Sequence, residues 1–309
     1  MKQTIMKKLI LFTAVLFFLS FTTKKELIKI PIINDKEAKA AGFNIFFVPI
    51  KLAGIEKQFK MQFDLGLDVS AIYGNSLQAI CEKYPNLKKN FYVRDEYQIV
   101  KTKYYIAGIE SNLDSLLVFA NYGSDKKFEE QDIIGSIGVN QFKNKILLIN
   151  YNERYIQILD NDSQIDKEKF DCTPMTVTKN NKIIINLKAG DSFVPFLFDS
   201  GNGVPLVTIN KNFFDEQTEN QKELRDTISG NSWGETIRLF GAKQQKNIGT
   251  ENTNFTIGQN RIYYTQANKI VEQFKEMNVE HSIGNNFFMG KTILFDFKNN
   301  KFGLKKQWK

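Results

Sequence analysis

The sequence predicts a mostly-β chain built as two duplicated β lobes. Three observations point there. Strand-like apolar runs bounded by turn residues fill both halves, while helical spacing is rare. Two segments about 135 residues apart share one pattern, Phe63-Asp64-Leu65-Gly66-Leu67 and Phe198-Asp199-Ser200-Gly201-Asn202, each behind an apolar run. The ends of the halves also match, with Ser136-Ile137-Gly138-Val139-Asn140-Gln141-Phe142 against Ser282-Ile283-Gly284-Asn285-Asn286-Phe287-Phe288. After them Lys145–Tyr151 answers Lys291–Phe297 at the same offset.

Along the chain, residues 1–23 read as an export signal. Lys7 and Lys8 precede the apolar stretch Leu9–Phe21, about 13 residues, short of the about 20 needed to span a bilayer. The small-residue cleavage pattern near Phe21-Thr22-Thr23 is weak, so an uncleaved segment would tether the protein to a membrane. The expected location is therefore exported, periplasmic or secreted. Residues 24–41 form an extended, charged lead-in, 42–163 the N-terminal β lobe and 164–309 the C-terminal β lobe. The polar break Asp160–Gln164 sets the boundary. Strands are expected at Phe43–Leu52, Phe59–Phe63, Tyr97–Ile106, Leu116–Phe119, Lys145–Asn150 and Arg154–Leu159. The second half repeats the habit at Lys182–Leu187, Phe193–Phe198, Thr236–Leu239, Arg261–Thr265, Thr292–Phe297 and Phe302–Leu304. Helical spacing appears at Ser76–Lys83 and Gln266–Met277.

Composition excludes several functions. Apolar residues make up 42% and charged residues 25% of the 309 residues, the balance of a globular chain with a sizeable core. The 27 phenylalanines suit a strand-rich interior. Of the net charge of +8, Lys2, Lys7 and Lys8 contribute three, and no basic stripe interleaves with aromatics, so no nucleic-acid partner is expected. Cys81 and Cys172 are too far apart in sequence for a disulfide framework and are expected as buried thiols. No Cys, His or acidic cluster has metal-ligand spacing, so neither metal nor other cofactor is expected. The single histidine, His281, is expected to pack or hydrogen-bond rather than catalyse.

What remains is the aspartate pair. Two carboxylates in contact cannot both ionise cheaply; their pKa values separate and one proton is shared. The ionised member can then deprotonate a water while the protonated one stabilises a developing oxyanion. Glycine after each aspartate lets the backbone approach closely.

On these residues the chain resembles the pepsin-like (bilobal, retropepsin-related) aspartic peptidases across most of 42–305. The likeness is sharpest from Ser282-Ile283-Gly284 through Phe295-Asp296-Phe297-Lys298-Asn299-Asn300-Lys301-Phe302-Gly303-Leu304, similar to the closing hairpin of that family's second lobe. Gly135-Ser136-Ile137-Gly138-Val139 resembles the partner segment of the first lobe. The resemblance implies a bilobal pepsin-like acid protease fold and an exported aspartic endopeptidase. Asp64 and Asp199 would be catalytic, with Gly66, Ser200, Gly201, Asn202, Gly138 and Gly284 supporting the active-site loops. The substrate would be a peptide or protein lying extended in the cleft, with no obligate dimer, since both motifs lie in one chain. A hairpin flap carrying Tyr104 or Tyr105 is implied in the first half, and Ser232-Trp233-Gly234 stands at a comparable distance after Asp199.

The chain departs from the family's Asp-Thr/Ser-Gly-Ser/Thr pattern. Leu65 replaces the first hydroxyl, and Leu67 and Asn202 occupy the fourth positions. Asn202 can donate through its amide; Leu67 cannot, which leaves Asp64 as the member expected to hold the proton. The departures keep open a catalytically inactive pepsin-like protein whose cleft binds a peptide or partner. A third reading is an exported β-rich structural or carbohydrate-binding protein whose aspartates only cap turns.

Overall fold

A computed structural model describes residues 27–34, 44–219, 226–232, 235–253 and 260–306. The expected export segment, most of the lead-in, and Trp233 and Gly234 lie outside them. The described chain is mostly β, in a 10-stranded and a 14-stranded sheet.

Eight strands carry the site, most of them buried along continuous runs. They are β1 (Phe46–Leu52), β2 (Gln58–Phe63), β3 (Ala71–Tyr73), β4 (Ile133–Ile137), β5 (Ile183–Ala189), β6 (Ser192–Phe198), β7 (Leu206–Thr208) and β8 (His281–Ile283). In β2, Phe59, Met61 and Phe63 are buried while Gln58, Lys60 and Gln62 are not, so one face turns to the core. Each of these large apolar side chains contributes roughly 1.5–3 kcal/mol by leaving water. The phenylalanines gather as expected: Phe63, Phe142, Phe198, Phe288, Phe295 and Phe302 are fully buried.

Pairing repeats between the halves. β2 runs antiparallel to β1 and parallel to β4, and β4 is antiparallel to β3. β6 runs antiparallel to β5 and parallel to β8, and β8 is antiparallel to β7. In each half, therefore, the strand before an aspartate lies beside the strand of its Ser-Ile-Gly segment. The hairpin Ile146–Asn150/Tyr155–Leu159 joins the larger sheet by pairing antiparallel with Thr292–Asp296, with Leu148 opposite Leu294. These are the stretches that matched in sequence, so equivalent strands meet about a local two-fold.

Helix α1 (Gly74–Lys83) and helix α3 (Asn268–Glu276) fall where their spacing placed them. Helix α2 (Lys211–Gln217) was not anticipated; its start is fixed by Asn210, whose side chain accepts from Phe213 N. The expected strand Tyr97–Ile106 is broken into Tyr97–Lys101 and Tyr104–Ile106. Both cysteines are free, but only Cys81 is buried; Cys172 is exposed on Phe170–Val177, correcting that expectation.

Candidate active site

The two aspartates sit on matching loops at the ends of β2 and β6. Asp64 N donates to Ile137 O and Asp199 N to Ile283 O, each at 3.0 Å, tying each loop to its Ser-Ile-Gly strand. Leu67 N closes the first loop onto Asp64 O at 3.2 Å and Asn202 N the second onto Asp199 O at 3.1 Å. Gly138 and Gly284 fill one role in the two halves. A Cβ at Gly138 would lie 2.6 Å from Val69 O, and one at Gly284 would run into the Asn202 and Val204 carbonyls.

Gly66 and Gly201 bring the loops together. A Cβ on Gly66 would lie inside 3.0 Å of the Asp199 carboxyl, and one on Gly201 inside 3.0 Å of the Asp64 carboxyl. Each missing side chain therefore makes room for the opposite aspartate. Ser200 provides a one-sided clamp: its Oγ accepts from Leu65 N at 2.7 Å and donates to Phe63 O at 2.9 Å. The equivalent position in the first loop is Leu65, fully buried, which offers no hydroxyl in return. Behind the loop, Asn285 Nδ2 donates to Ser200 O at 2.5 Å and Asn285 Oδ1 accepts from Tyr151 at 2.8 Å.

The two carboxyl groups face each other across the loops, each against the other loop's glycine, and their electrostatics are unequal. Burial, then the charge of Asp199, push Asp64 up to about 8, against a Gly66 N–H and the ammonium of Lys182. Burial also raises Asp199, but the N–H groups of Gly201 and Asn202, the Lys182 charge and the hydrogen bond from Asp64 oppose it. Asp199 Oδ1 accepts from Gly201 N at 2.8 Å and Asn202 N at 3.2 Å, while Asp64 Oδ1 accepts from Gly66 N at 3.0 Å. Two backbone N–H groups reach Asp199 against one at Asp64, where the Gln62 amide is only a long contact at 3.4 Å, so Asp199 carries the charge and Asp64 the proton. The Asn202 amide does not act as expected: its Nδ2 points to Ser282 Oγ at 3.5 Å, and its backbone N–H serves Asp199 instead.

The pair lies in a cavity of about 550 Å³. From the first half, Gln62, Tyr73, Tyr122 and Ser136 line it beside Ile45; the second half brings most of the apolar lining, Val204, Val207, Leu239, Ile270, Phe274 and Met277, with Asn202, Ser229, Gln273 and Ser282 among them. Gln62 Nε2 reaches Asp64 Oδ2 at 3.4 Å, and Tyr73 Oη pairs with Ser136 Oγ at 2.8 Å.

The flap expectation is corrected. Tyr104 is fully buried and donates to Gln141 Oε1 at 2.7 Å, and Tyr105 lies beside it on a strand paired with β1. Neither lines the cavity; Tyr73 and Tyr122 do. His281 packs as expected, fully enclosed between Phe196 and Phe213 with Nδ1 2.9 Å from Thr208 Oγ1. Sequence reasoning missed Tyr73, Gln62 and Lys182. Tyr73 and Gln62 were legible as ends of strands flanking the Asp64 loop. Lys182, whose Nζ donates to Gly66 O at 2.6 Å, is brought in by a turn from the other half and carries no local signal.

No family model and no curated protein matches this chain. Among solved structures, it is similar to the crystal structure of basic 7S globulin from soybean, at 10% identity and TM-score 0.50, covering 91% of this chain and 96% of that one. It is likewise similar to conglutin gamma, a unique basic 7S globulin from lupine seeds, at 10% identity and TM-score 0.50, covering 91% and 95%. At that identity the likeness is one of fold alone. These comparisons correct the family expectation: the neighbours carry the names of seed globulins, not of aspartic peptidases. The exported endopeptidase, and the inactive pepsin-like binder set beside it, lose the family support on which both rested. The physical reason is the brevity of the signal, since Asp-x-Gly loops and a closing hairpin specify backbone geometry more than descent.

Proposed function

We propose that the chain is a hydrolase in which Asp64 and Asp199 share one proton and activate water against a carbonyl group. The supporting observation is geometric: each aspartate carboxyl abuts the glycine of the opposite loop, and both acids line one cavity. Asp199, served by two backbone N–H groups, is the base that takes a proton from water. Asp64 is the acid that polarises the carbonyl and stabilises the oxyanion. Glycosidic chemistry fits less well, because paired glycosidase carboxyls stand about 5 Å or more apart to admit the sugar carbon or a water. Residues 42–163 and 164–309 are two copies of one unit around a central cleft. Both aspartates come from one chain, so the pair needs no dimer. Export is proposed from residues 1–23 alone, whose charge-then-apolar order is that of a secretory signal.

The test is hydrolysis of chromogenic amide and ester substrates from acid to neutral pH, comparing wild type with Asp199→Asn and Asp64→Asn. Turnover falling about 10³-fold or more in both variants, the loss expected when a member of a catalytic unit is removed, supports the proposal. Turnover that survives in both, or no acyl hydrolysis by folded wild type at any pH, overturns it.

A further inference from the structure

The local two-fold that relates the halves is broken beside the aspartate pair. By register Ile183 lies opposite Phe198, and Phe46, one residue before the Phe47–Gln62 pair, stands opposite Phe63. Lys182 therefore occupies in the second half the position that Ile45 occupies in the first. Their neighbours behave alike: Asn44 N donates to Gly203 O at 3.3 Å, and Asn181 Nδ2 to Asp68 O at 3.2 Å. Ile45 contributes an apolar wall to the cavity. Lys182 instead crosses to the opposite aspartate loop, where Nζ reaches Gly66 O at 2.6 Å and Asp68 Oδ1 at 3.3 Å.

We infer that Lys182 is a positioning residue of the pair: its ammonium, pinned on the Gly66 carbonyl, holds the first loop against Asp199 and favours the singly ionised pair. The first loop is where this sequence lacks hydroxyls, at Leu65 and Leu67. Ser200 clamps that loop from one side only. Lys182 supplies a second tie from the other half, and a charge with it. Gly66 is the residue that both donates to Asp64 and abuts the Asp199 carboxyl, so a cation fixed on its carbonyl lies close to both. Its field lowers the proton affinity of each aspartate, against burial. The other titratable groups around the pair are Asp68, which already faces Lys182, Tyr73, bonded to Ser136, and Tyr122 on the cavity wall. A lysine only 22% exposed is screened less than a surface ion.

This inference rests on the proton-sharing reading of the pair, and its test does not use hydrolysis. The carboxyl carbons of Asp64 and Asp199 are titrated by NMR in wild type, Lys182→Met and Lys182→Arg. The expected result is an upward shift of the pair's apparent pKa values by about one unit in Lys182→Met, with most of it restored in Lys182→Arg. Values in Lys182→Met equal to wild type overturn the inference. Should Lys182→Met not fold, Lys182→Gln, neutral but polar, takes its place with the same two outcomes. A shift in Lys182→Met from a protein that hydrolyses no acyl bond upholds Lys182 and removes only the water-activating role. Two aspartates that titrate independently in wild type remove both.

Discussion

A methyl group added at Gly66 or Gly201 would overlap the carboxyl of the opposite loop, so at the residue scale the pair depends on two absent side chains as much as on two acids. The sequence showed these glycines and both aspartates, because the same four-residue pattern occurs twice. It did not show that Gly66 faces Asp199 and Gly201 faces Asp64, since that crossing exists only once the halves are docked. Ser200 was legible as a hydroxyl, but the partners it holds, Leu65 N and Phe63 O, lie in the other half. Removing that hydroxyl leaves a buried N–H and a buried C=O unpaired, at about 1–3 kcal/mol for each group left without a partner. Ser200→Ala is therefore expected to lower unfolding free energy by at least about 1 kcal/mol in urea titration. A loss indistinguishable from zero would mean the clamp carries no net stability.

Among the elements, β8 joins site and core. Ser282 faces the cavity, while His281 one residue before it is enclosed by Phe196, Phe213 and Thr208. Strand alternation explains how neighbours serve both, and it also explains why a histidine beside a Ser-Ile-Gly segment is structural. Burial holds the His281 imidazole down to about 4, below its ordinary 6.5. The neutral ring is favoured in the fold, so its contribution is fully present above pH 6.5. As pH falls toward 4 the unfolded chain gains a proton the folded one refuses, and roughly 3 kcal/mol is lost. Asp64 works in the opposite sense, since its raised pKa makes the fold lose stability as pH rises from about 4 to about 8. The difference between wild type and His281→Gln cancels the Asp64 contribution. Wild type is expected to lose its advantage over His281→Gln between pH 7 and pH 4; a constant difference would show that His281 is not held neutral. Helix α2 was invisible at this scale, being short and without apolar spacing, and the flap was misplaced because Tyr104 alternates into the core behind β1.

For the whole molecule, the likeness of Lys145–Tyr151 to Lys291–Phe297 was legible from their constant offset. Their pairing with one another, Leu148 opposite Leu294, was not, because register across halves leaves no local trace in sequence. Matching loops brought by matching strands place two acids at the centre, and the asymmetries at Leu65, Ser200 and Lys182 make them unequal. Mutual contact of like acids in a buried setting forces their titrations apart. The most direct measurement is the pH titration of the carboxyl carbons of Asp64 and Asp199 in the wild-type protein. Two linked steps, with the upper one assigned mainly to Asp64 at about 8, are the expected result. Two independent steps near the ordinary value of about 4 would contradict the account.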